Sequence, residues 1–420
     1  MFENFIDIME EELRPALGCT EPIAIALAAA KAREVLGDMP EKLIAHCSGN
    51  IIKNVKGVTV PTTGNMKGIE TSAILGAVGG DASKELEVLT SVKPEDITRT
   101  KQLLESKMCE VTLAEGVENL YIEMTAIKGN DEALVIISDS HTNVIKVEKN
   151  KKIIFEKNAK EAKEQKQQDR SNLNVKNIYE FATTVDVEKV KTLLDRQIKC
   201  NMEIAEEGMK NHYGAAVGRT LVKHYGNDIK NIAKAYAAAG SDARMSGCVL
   251  PVVINSGSGN QGMTVSIPVI LYAKYLNVSQ EKLYRALTLA NLLAIHQKTG
   301  IGKLSAYCGA VSAGCAAGAA IAYLHDEPFT VIKNTLVNSL ANVSGIVCDG
   351  AKPSCAAKIA SSIDAAIMGY IMAADGEAFS PGEGLVTSDI DTTIKNIGKM
   401  AKDGMRQTDV EILNLMISED

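Results

Sequence analysis

Residues 344–355 read Ser344-Gly-Ile-Val-Cys348-Asp-Gly-Ala-Lys-Pro353-Ser-Cys355, and they follow an Ala/Gly-rich stretch whose spacing predicts a helix over 303–324. That helix carries Cys315, so three thiols recur as C-x32-C-x6-C in Cys315, Cys348 and Cys355. Glycines and a proline flank the last two thiols, which predicts open, bent backbone around a ligand. A metal cluster is therefore the leading interpretation of this stretch.

The thiol spacing favours iron–sulfur chemistry over zinc. Zinc sites usually pair C-x2–4-C elements, and neither interval here is that short. Three cysteine ligands leave one position of a [4Fe–4S] cluster open, so the fourth iron could bind a substrate as a Lewis acid. Small core residues are the competing interpretation. Cys308 lies seven residues before Cys315 on the same predicted helix face, where it either approaches the site or packs, and Cys248 is a candidate lining residue.

The composition is that of a globular protein that handles small molecules. The chain has 420 residues, a formal net charge of −7, an apolar content of 46% and nine cysteines. No cluster of Lys and Arg stands out, which argues against nucleic-acid and membrane partners. The acidic N-terminus and the lack of a long uncharged apolar run predict a cytoplasmic location, where thiols stay reduced. A homodimer is the expected assembly because symmetric dimers are the commonest oligomers.

The predicted fold class is α+β, with a domain boundary near residue 172. Residues 1–172 are predicted to form an α/β domain, and its mostly antiparallel sheet would use strands near 42–47, 108–114, 119–127, 132–139 and 143–148. The charged stretch 156–170 is predicted to be an exposed linker or a solvated helix. Residues 173–420 are predicted to be an all-helical domain that binds the cluster and substrate. Its helices are expected at about 175–183, 186–208, 210–223, 227–240, 265–276, 279–297, 303–324, 329–342, 354–374 and 384–400.

A separate candidate lies near the N-terminus, in Gly18-Cys19-Thr20-Glu21-Pro22. Thr20 suits a helix N-cap and Pro22 suits the first turn, so Cys19 is expected at or beside a helix N-terminus. The dipole and free N–H groups there lower the pKa of a thiol, which predicts that Cys19 is reactive or ligating. A buried cysteine in a tight turn is the alternative.

A second special loop offers a binding surface for a substrate carboxylate. Its Ser/Gly/Asn run precedes a predicted helix, and N–H groups and hydroxyls in such a run suit an anion. It matches neither the Walker A nor the dinucleotide-binding fingerprint. The candidate substrate-binding residues are Ser256, Gly257, Ser258, Gly259, Asn260 and Gln261.

Other polar residues are weaker candidates. A turn-rich segment with Lys53, Asn54 and Asn65 could also hold a carboxylate, although solvated turns explain it equally well. His141 is expected to be a solvated histidine in a turn. The alternative bases are histidines that are more often structural, namely His46, His212 and His296.

Together these motifs resemble the L-cysteine desulfidase family, which is related through its helical half to the iron–sulfur L-serine dehydratases. The motifs are 18–22, the loop 256–262, 312–315 and 345–355. The resemblance implies a [4Fe–4S] lyase that converts L-cysteine to pyruvate, ammonia and sulfide. It assigns Cys315, Cys348 and Cys355 as cluster ligands and Cys19 as the proton acceptor. The dehydratases have a longer gap between their last two ligands than the six residues here, which favours the desulfidase branch.

The required chemistry agrees with this hypothesis. Eliminating sulfide needs a base for the Cα proton and an electrophile for sulfur, and a soft iron suits a soft thiolate. The substrate thiolate would bind the open iron while its carboxylate binds the loop 256–262. No lysine motif of the pyridoxal phosphate dehydratases stands out, so that cofactor is not expected. The alternatives are an iron–sulfur L-serine dehydratase, a non-enzymatic iron–sulfur sensor or electron carrier, and a zinc-stabilised scaffold.

Overall fold

A mixed α+β fold confirms the predicted class. The computed structural model describes residues 2, 4–157, 168–302 and 304–418. Most of the predicted linker, residues 158–167, lies outside the described residues, as does Lys303 in the predicted helix 303–324. The domain boundary near residue 172 stays a prediction.

The larger sheet has six strands in the order β3-β2-β4-β5-β6-β7. Only the β2–β3 pair is parallel and the other four pairs are antiparallel, as predicted for a mostly antiparallel sheet. One face is covered, because alternate residues of β2 and β4 are buried. The strands are β1 Pro15–Leu17, β2 Lys42–Ser48, β3 Cys109–Ala114, β4 Tyr121–Lys128, β5 Asp131–Ser138, β6 Val144–Lys149, β7 Lys152–Glu156 and β8 Pro251–Val253.

The covered face of the sheet packs against α2, which is apolar on nearly every side. Small residues allow α4 to approach α2 closely, since a Cβ at Gly76 would lie 2.3 Å from the carbonyl oxygen of Ala26. Helices α2 and α4 thus lie side by side on the sheet, α2 against β4 and β5 and α4 against β2 and β3. Its helices are α1 Asn4–Glu12, α2 Thr20–Leu36, α3 Gly49–Val55, α4 Gly68–Gly79 and α5 Pro94–Glu105.

The C-terminal half is helical except for the short strand β8. Helix α12 is buried along its length, and glycines on it pack against α14. The helices are α6 Val175–Thr184, α7 Glu188–Lys210, α8 Val217–Tyr225, α9 Ile229–Met245, α10 Gly259–Tyr275, α11 Gln280–Ile301, α12 Gly309–Leu324, α13 Phe329–Asn342, α14 Cys355–Ala374, α15 Ile390–Lys399 and α16 Arg406–Ser418.

Helix α12 begins at Gly309, later than the predicted residue 303. The residues before it pair with the loop 346–348 instead, and Tyr307 forms a bridge with Val347. The Cys308 N–H donates to the Ile346 carbonyl at 2.9 Å, and the Cys348 N–H donates to the Ala306 carbonyl at 2.7 Å. This pairing takes Cys308 off the predicted helix face and places it beside Cys348.

The two ends of the chain each contact the other half. Strand β1 pairs antiparallel with β8, so the segment before Cys19 is joined to the helical half. Helix α16 packs on α3, where a Cβ at Gly49 would lie 2.3 Å from Leu413. The sequence predicted polar turns where α3 forms, and it did not predict α16.

One described helix, α14, is long and apolar enough to cross a membrane. Just over half of the 18-residue apolar segment of this helix, 56%, is buried inside the protein. A core helix of a globular protein passes the same test, so this observation is weak evidence for a membrane span.

Candidate active site

An inner cavity of about 90 Å³ collects most of the predicted site residues. Both halves of the chain contribute to its wall. The N-terminal half supplies Cys19, Thr20, Glu21 and Asn54, and the C-terminal half supplies Arg244, Ser258, Asn260, Gln261, Lys298, Leu304, Ser305, Tyr307, Cys308, Gly309, Ala310, Cys348, Gly350, Ala351, Cys355 and Ile359.

Four helix N-termini meet at this cavity. Cys19 is the N-cap of α2, Ser258 the N-cap of α10 and Cys308 the N-cap of α12, while Cys355 is the first residue of α14. Each N-terminus presents free N–H groups and a partial positive charge. The cavity therefore favours anionic groups such as thiolates and carboxylates.

Three thiols line one part of the cavity wall: Cys308, Cys348 and Cys355. The Cys308 thiol hydrogen bonds to the sulfur of Cys348. The Cys355 thiol lies 3.6 Å from the Gly350 carbonyl oxygen. Gly350 has φ +97°, and a Cβ there would lie 2.6 Å from the Lys53 carbonyl, so this turn requires glycine. The three sulfurs thus come from three separate segments onto one surface.

Cys315, the first of the predicted cluster ligands, does not line this surface. It lies two turns inside α12 and is buried there, and its thiol interacts with Ser339. Burial raises its pKa to about 12. Among the described residues before α12, 304–308 are not helical, so Cys308 rather than Cys315 lies with Cys348 and Cys355 in the cavity wall.

Positive charge surrounds the thiols. The hydrogen bond from Cys308 lowers the pKa of Cys348 to about 6, and the ammonium groups of Lys53 and Lys358 contribute to the same shift. Lys53 donates to the Cys348 carbonyl at 3.5 Å and pairs with Asp409 of α16. Cys348 is therefore a thiolate at neutral pH, the form that binds metals.

Cys19 is the N-cap residue that the sequence predicted, but its pKa shifts in the opposite direction. Burial and the neighbouring Glu21 carboxylate raise the pKa of Cys19 well above its usual value, although Arg244 and the helix N-terminus oppose them. The thiol donates a hydrogen bond to Glu21 Oε2 at 3.0 Å. The expected lowering is wrong for this state of the site, in which Cys19 is a thiol.

Glu21 is held by several donors around the cavity. Thr20 Oγ1 donates to Oε2 at 3.1 Å, and Asn54 Nδ2 donates to Oε1 at 3.1 Å. Burial acts to raise its pKa, but nearby His141 and the Cys19 hydrogen bond outweigh burial and lower the pKa. Glu21 is therefore a carboxylate. His141 is buried rather than solvated, which corrects its predicted environment.

Arg244 provides the opposite charge in the same cavity. This buried guanidinium donates from Nε to the Gly18 carbonyl at 3.0 Å and from Nη1 to Asn260 Oδ1 at 3.1 Å. Its close approach to α10 needs Gly259, because a Cβ there would lie 2.4 Å from Nε. A fixed guanidinium beside amide side chains is a typical carboxylate-binding arrangement.

Half of the predicted substrate loop lines the cavity. Ser258, Asn260 and Gln261 do so, and the buried Gln261 Oε1 has no hydrogen-bond partner among the described residues. Ser256, Gly257 and Gly259 have other roles. The Ser256 hydroxyl donates to Asn255, the Gly257 carbonyl accepts from Thr20, and Gly259 packs against Arg244.

The alternative bases lie elsewhere. His46 hydrogen bonds to Thr112 and His296 to Asp391, while His212 is exposed. None of these three lines the inner cavity. The buried Cys248 also lies outside the cavity wall, contrary to its expected role, and it contacts Tyr213. The charged residues that the sequence analysis did not assign are Glu21, Arg244 and Lys298.

A larger outer cavity of about 680 Å³ adjoins the inner one. Leu304 and Ser305 line both. Helix α16 and the turn before it form part of the outer wall, through Met405, Arg406 and Asp409.

Comparison with known proteins places most of this site within one family. The family model described as serine dehydratase alpha chain matches residues 83–414. That match contains Arg244 and three of the four cavity thiols, Cys308, Cys348 and Cys355, whereas Cys19 and Glu21 precede it.

Similar full-length proteins occur in several bacteria. A UPF0597 protein of Lachnoclostridium phytofermentans is 53% identical over 418 residues and covers 100% of both chains. A UPF0597 protein of Desulfitobacterium hafniense is 52% identical, and the match covers 100% of this chain and 97% of that protein. A UPF0597 protein of Finegoldia magna is 50% identical, and the match covers 99% of this chain and 100% of that protein. The family model matches well over half of the residues of this chain, so the chain belongs to the serine dehydratase alpha chain family.

Proposed function

We propose that this protein is an iron–sulfur lyase that eliminates sulfide from L-cysteine to give pyruvate, ammonia and sulfide. The observation that carries the proposal is one small cavity that combines three thiols with Cys19 and a pair of opposite charges, Glu21 and Arg244. The family description, serine dehydratase alpha chain, supports an elimination from a small amino acid, and the choice of a thiol over a hydroxyl substrate belongs to the proposal. A cytoplasmic location and a homodimer stay part of the proposal.

The residues present fit a [4Fe–4S] cluster held by Cys308, Cys348 and Cys355. Nowhere in the described ranges do three or more His, Cys, Asp or Glu side chains converge to hold a single metal ion. A cluster does not need such convergence, because each thiolate binds a different iron. The lowered pKa of Cys348, the helix N-termini and the surrounding lysines all suit an anionic thiolate centre.

The cavity can hold the zwitterion of an amino acid in one orientation. Arg244, together with Asn260 and Gln261, would bind the carboxylate, and Glu21 would bind the ammonium group. The substrate side chain would then point toward the three thiols. When bound there, an iron–sulfur cluster supplies a soft Lewis acid for the sulfur of the substrate.

Cys19 is the proposed acceptor of the Cα proton, and it must first lose its own. With ordinary pKa values of about 8.5 and 4.3, moving that proton from Cys19 Sγ to Glu21 Oε2 costs about 6 kcal/mol. Both shifts in the cavity increase this cost. The substrate-free site therefore keeps its base protonated.

Substrate binding would reverse this situation. An ammonium group at Glu21 neutralises the carboxylate that raises the pKa of Cys19, and it competes for the hydrogen bond that holds the thiol proton. Arg244 already favours the thiolate. Under this proposal, recognition of the amino group promotes formation of the base.

The cluster assignment predicts which cysteines iron depends on. Anaerobically purified protein should be brown and contain about four irons per chain. Cys308→Ala, Cys348→Ala and Cys355→Ala should each lower iron to less than about one per chain, because they remove a ligand. Cys315→Ala is the matched control on the same helix, and its iron content should stay near that of the wild type. Iron loss in Cys315→Ala with retention in Cys308→Ala would restore the original ligand set, and zinc without iron would favour the scaffold.

The substrate assignment predicts a preference between two amino acids that differ by one atom. L-Cysteine should react at least about tenfold faster than L-serine, because a hydroxyl is a harder ligand and a poorer leaving group. Sulfide and pyruvate should appear one for one, anaerobically and without added pyridoxal phosphate.

The family description itself favours a second candidate, an iron–sulfur L-serine dehydratase. Equal or faster pyruvate formation from L-serine would establish that alternative over the desulfidase. Protein that holds a full cluster but reacts with neither amino acid would favour the sensor.

A further inference from the structure

Lys298 is a buried lysine that the proposed reaction has not used. It lies in the last turn of α11, only 5% of it is exposed, and it lines the inner cavity. Across the described ranges, no hydrogen bond or ion pair joins its ammonium group to another residue. A buried cation without a partner is costly, so its presence points to an anion in the cavity.

The electrostatic neighbours of Lys298 identify where that anion lies. Its charge interacts with Cys348 and Cys308 and also with Glu12. Glu12 pairs with Arg170, so it is not available to balance Lys298. Burial lowers the pKa of Lys298 to about 8, and the group is therefore still mainly a cation at neutral pH. The negative charge it faces is that of the Cys348 thiolate.

The other lysines beside the thiols differ in this respect. Lys53 pairs with Asp409, and Lys358 pairs with Asp349. Those carboxylates compensate much of their charge. Lys298 thus keeps a full positive charge for whatever occupies the cavity.

We propose that Lys298 is the counter-cation of the anionic centre on Cys308, Cys348 and Cys355, and that it stabilises the negative charge on the sulfur that leaves the substrate. The inference rests on the proposed function for its second part only. Its first part requires no turnover, because a resting [4Fe–4S] cluster held by three thiolates carries net negative charge. A charge role also distinguishes Lys298 from a residue that only fills space.

The test compares Lys298→Met with Lys298→Arg. Lys282→Met is the matched control, since Lys282 lies on the same helix and pairs with Asp326 far from the cavity. Iron-loaded protein is challenged anaerobically with a chelator, and the loss of iron is followed by the thiolate charge-transfer absorbance. Loss of one positive charge beside an anionic cluster should make Lys298→Met lose iron about tenfold faster. Lys298→Arg should stay within about threefold of the wild type, and Lys282→Met should match it.

Loaded protein gives a second measurement. The iron centre of Lys298→Met should have a more negative reduction potential than that of the wild type, because removing a cation disfavours the added electron. Turnover of L-cysteine should fall about tenfold in the same variant. Melting curves establish that each variant is folded before these comparisons.

The outcomes separate the two proposals. Iron loss and reduction potential unchanged in Lys298→Met would overturn the role of Lys298, and so would equal changes in Lys298→Met and Lys298→Arg. Wild type whose iron centre shows the expected charge dependence but has no lyase activity would support the counter-cation and contradict the proposed function. Wild type that binds no iron through these thiols would overturn both.

Discussion

Cys19→Ala is expected to keep the iron centre and to lower turnover of L-cysteine by about a hundredfold or more. The loss has this size because a positioned proton acceptor typically contributes about a hundredfold to ten-thousandfold. Iron should be retained because the Cys19 thiol is held by its hydrogen bond to Glu21, and three other thiols of the cavity are the proposed cluster ligands. The measurement is kcat together with iron per chain.

Cys248→Ala provides the control for Cys19→Ala. Cys248 is another buried thiol, but it contacts Tyr213 and does not line the inner cavity. We expect its iron content and turnover to stay near those of the wild type. Near-normal turnover of Cys19→Ala with full iron would remove Cys19 from catalysis. Loss of iron in that variant would show instead that Cys19 is a fourth cluster ligand.

Local sequence patterns predicted most of the fold. Most helices of the C-terminal half were predicted, although α16 was not, and several of them bury a periodic apolar face, as α13 does over Phe329–Asn342. Strands β2 to β6 were found because apolar residues alternate along them. The short strands β1 and β8 were not predicted, since three residues carry little pattern and these two strands pair across more than 200 positions of the chain.

The choice of Cys315 over Cys308 shows where such patterns fail. The Ala/Gly-rich stretch has a helical pattern that extends back to residue 303, and the local spacing places Cys308 and Cys315 on one face of that predicted helix. The actual start at Gly309 depends on backbone pairing with residues 346–348, about forty positions away. A helix boundary set by a distant strand-like contact leaves no local signal.

The sequence did not predict the charged residues of the site, for a related reason. Glu21 is part of a motif that was singled out for its cysteine, and its role depends on Asn54 from α3. Arg244 and Lys298 look like ordinary charged residues near helix ends. Only the fold shows that they are buried beside the thiols. Burying a charged side chain is costly, so a buried charge indicates a role, whereas an exposed charge does not.

The largest effect on substrate recognition is expected from Arg244→Gln. Removing one partner of a buried, hydrogen-bonded charge pair typically costs about 2 to 5 kcal/mol, so kcat/KM for L-cysteine should fall by about a hundredfold. Glutamine can still donate to the Gly18 carbonyl or to Asn260, which limits damage to the fold. Arg244→Lys should recover part of the loss, because it restores charge without the paired donors of a guanidinium.

Two substrate fragments show which end of the amino acid Arg244 binds. Cysteamine lacks the carboxylate and 3-mercaptopropionate lacks the amine, and both retain the thiol. Both can be measured as competitive inhibitors, and their affinities should change in opposite ways. Arg244→Gln should weaken the binding of 3-mercaptopropionate about a hundredfold but leave the binding of cysteamine nearly unchanged. Glu21→Gln is the matched variant, and it should weaken the binding of cysteamine while leaving the binding of 3-mercaptopropionate nearly unchanged. If Arg244→Gln weakened both fragments equally, the loss would reflect disruption of the loop around Asn260, and the zwitterion orientation would have to be abandoned.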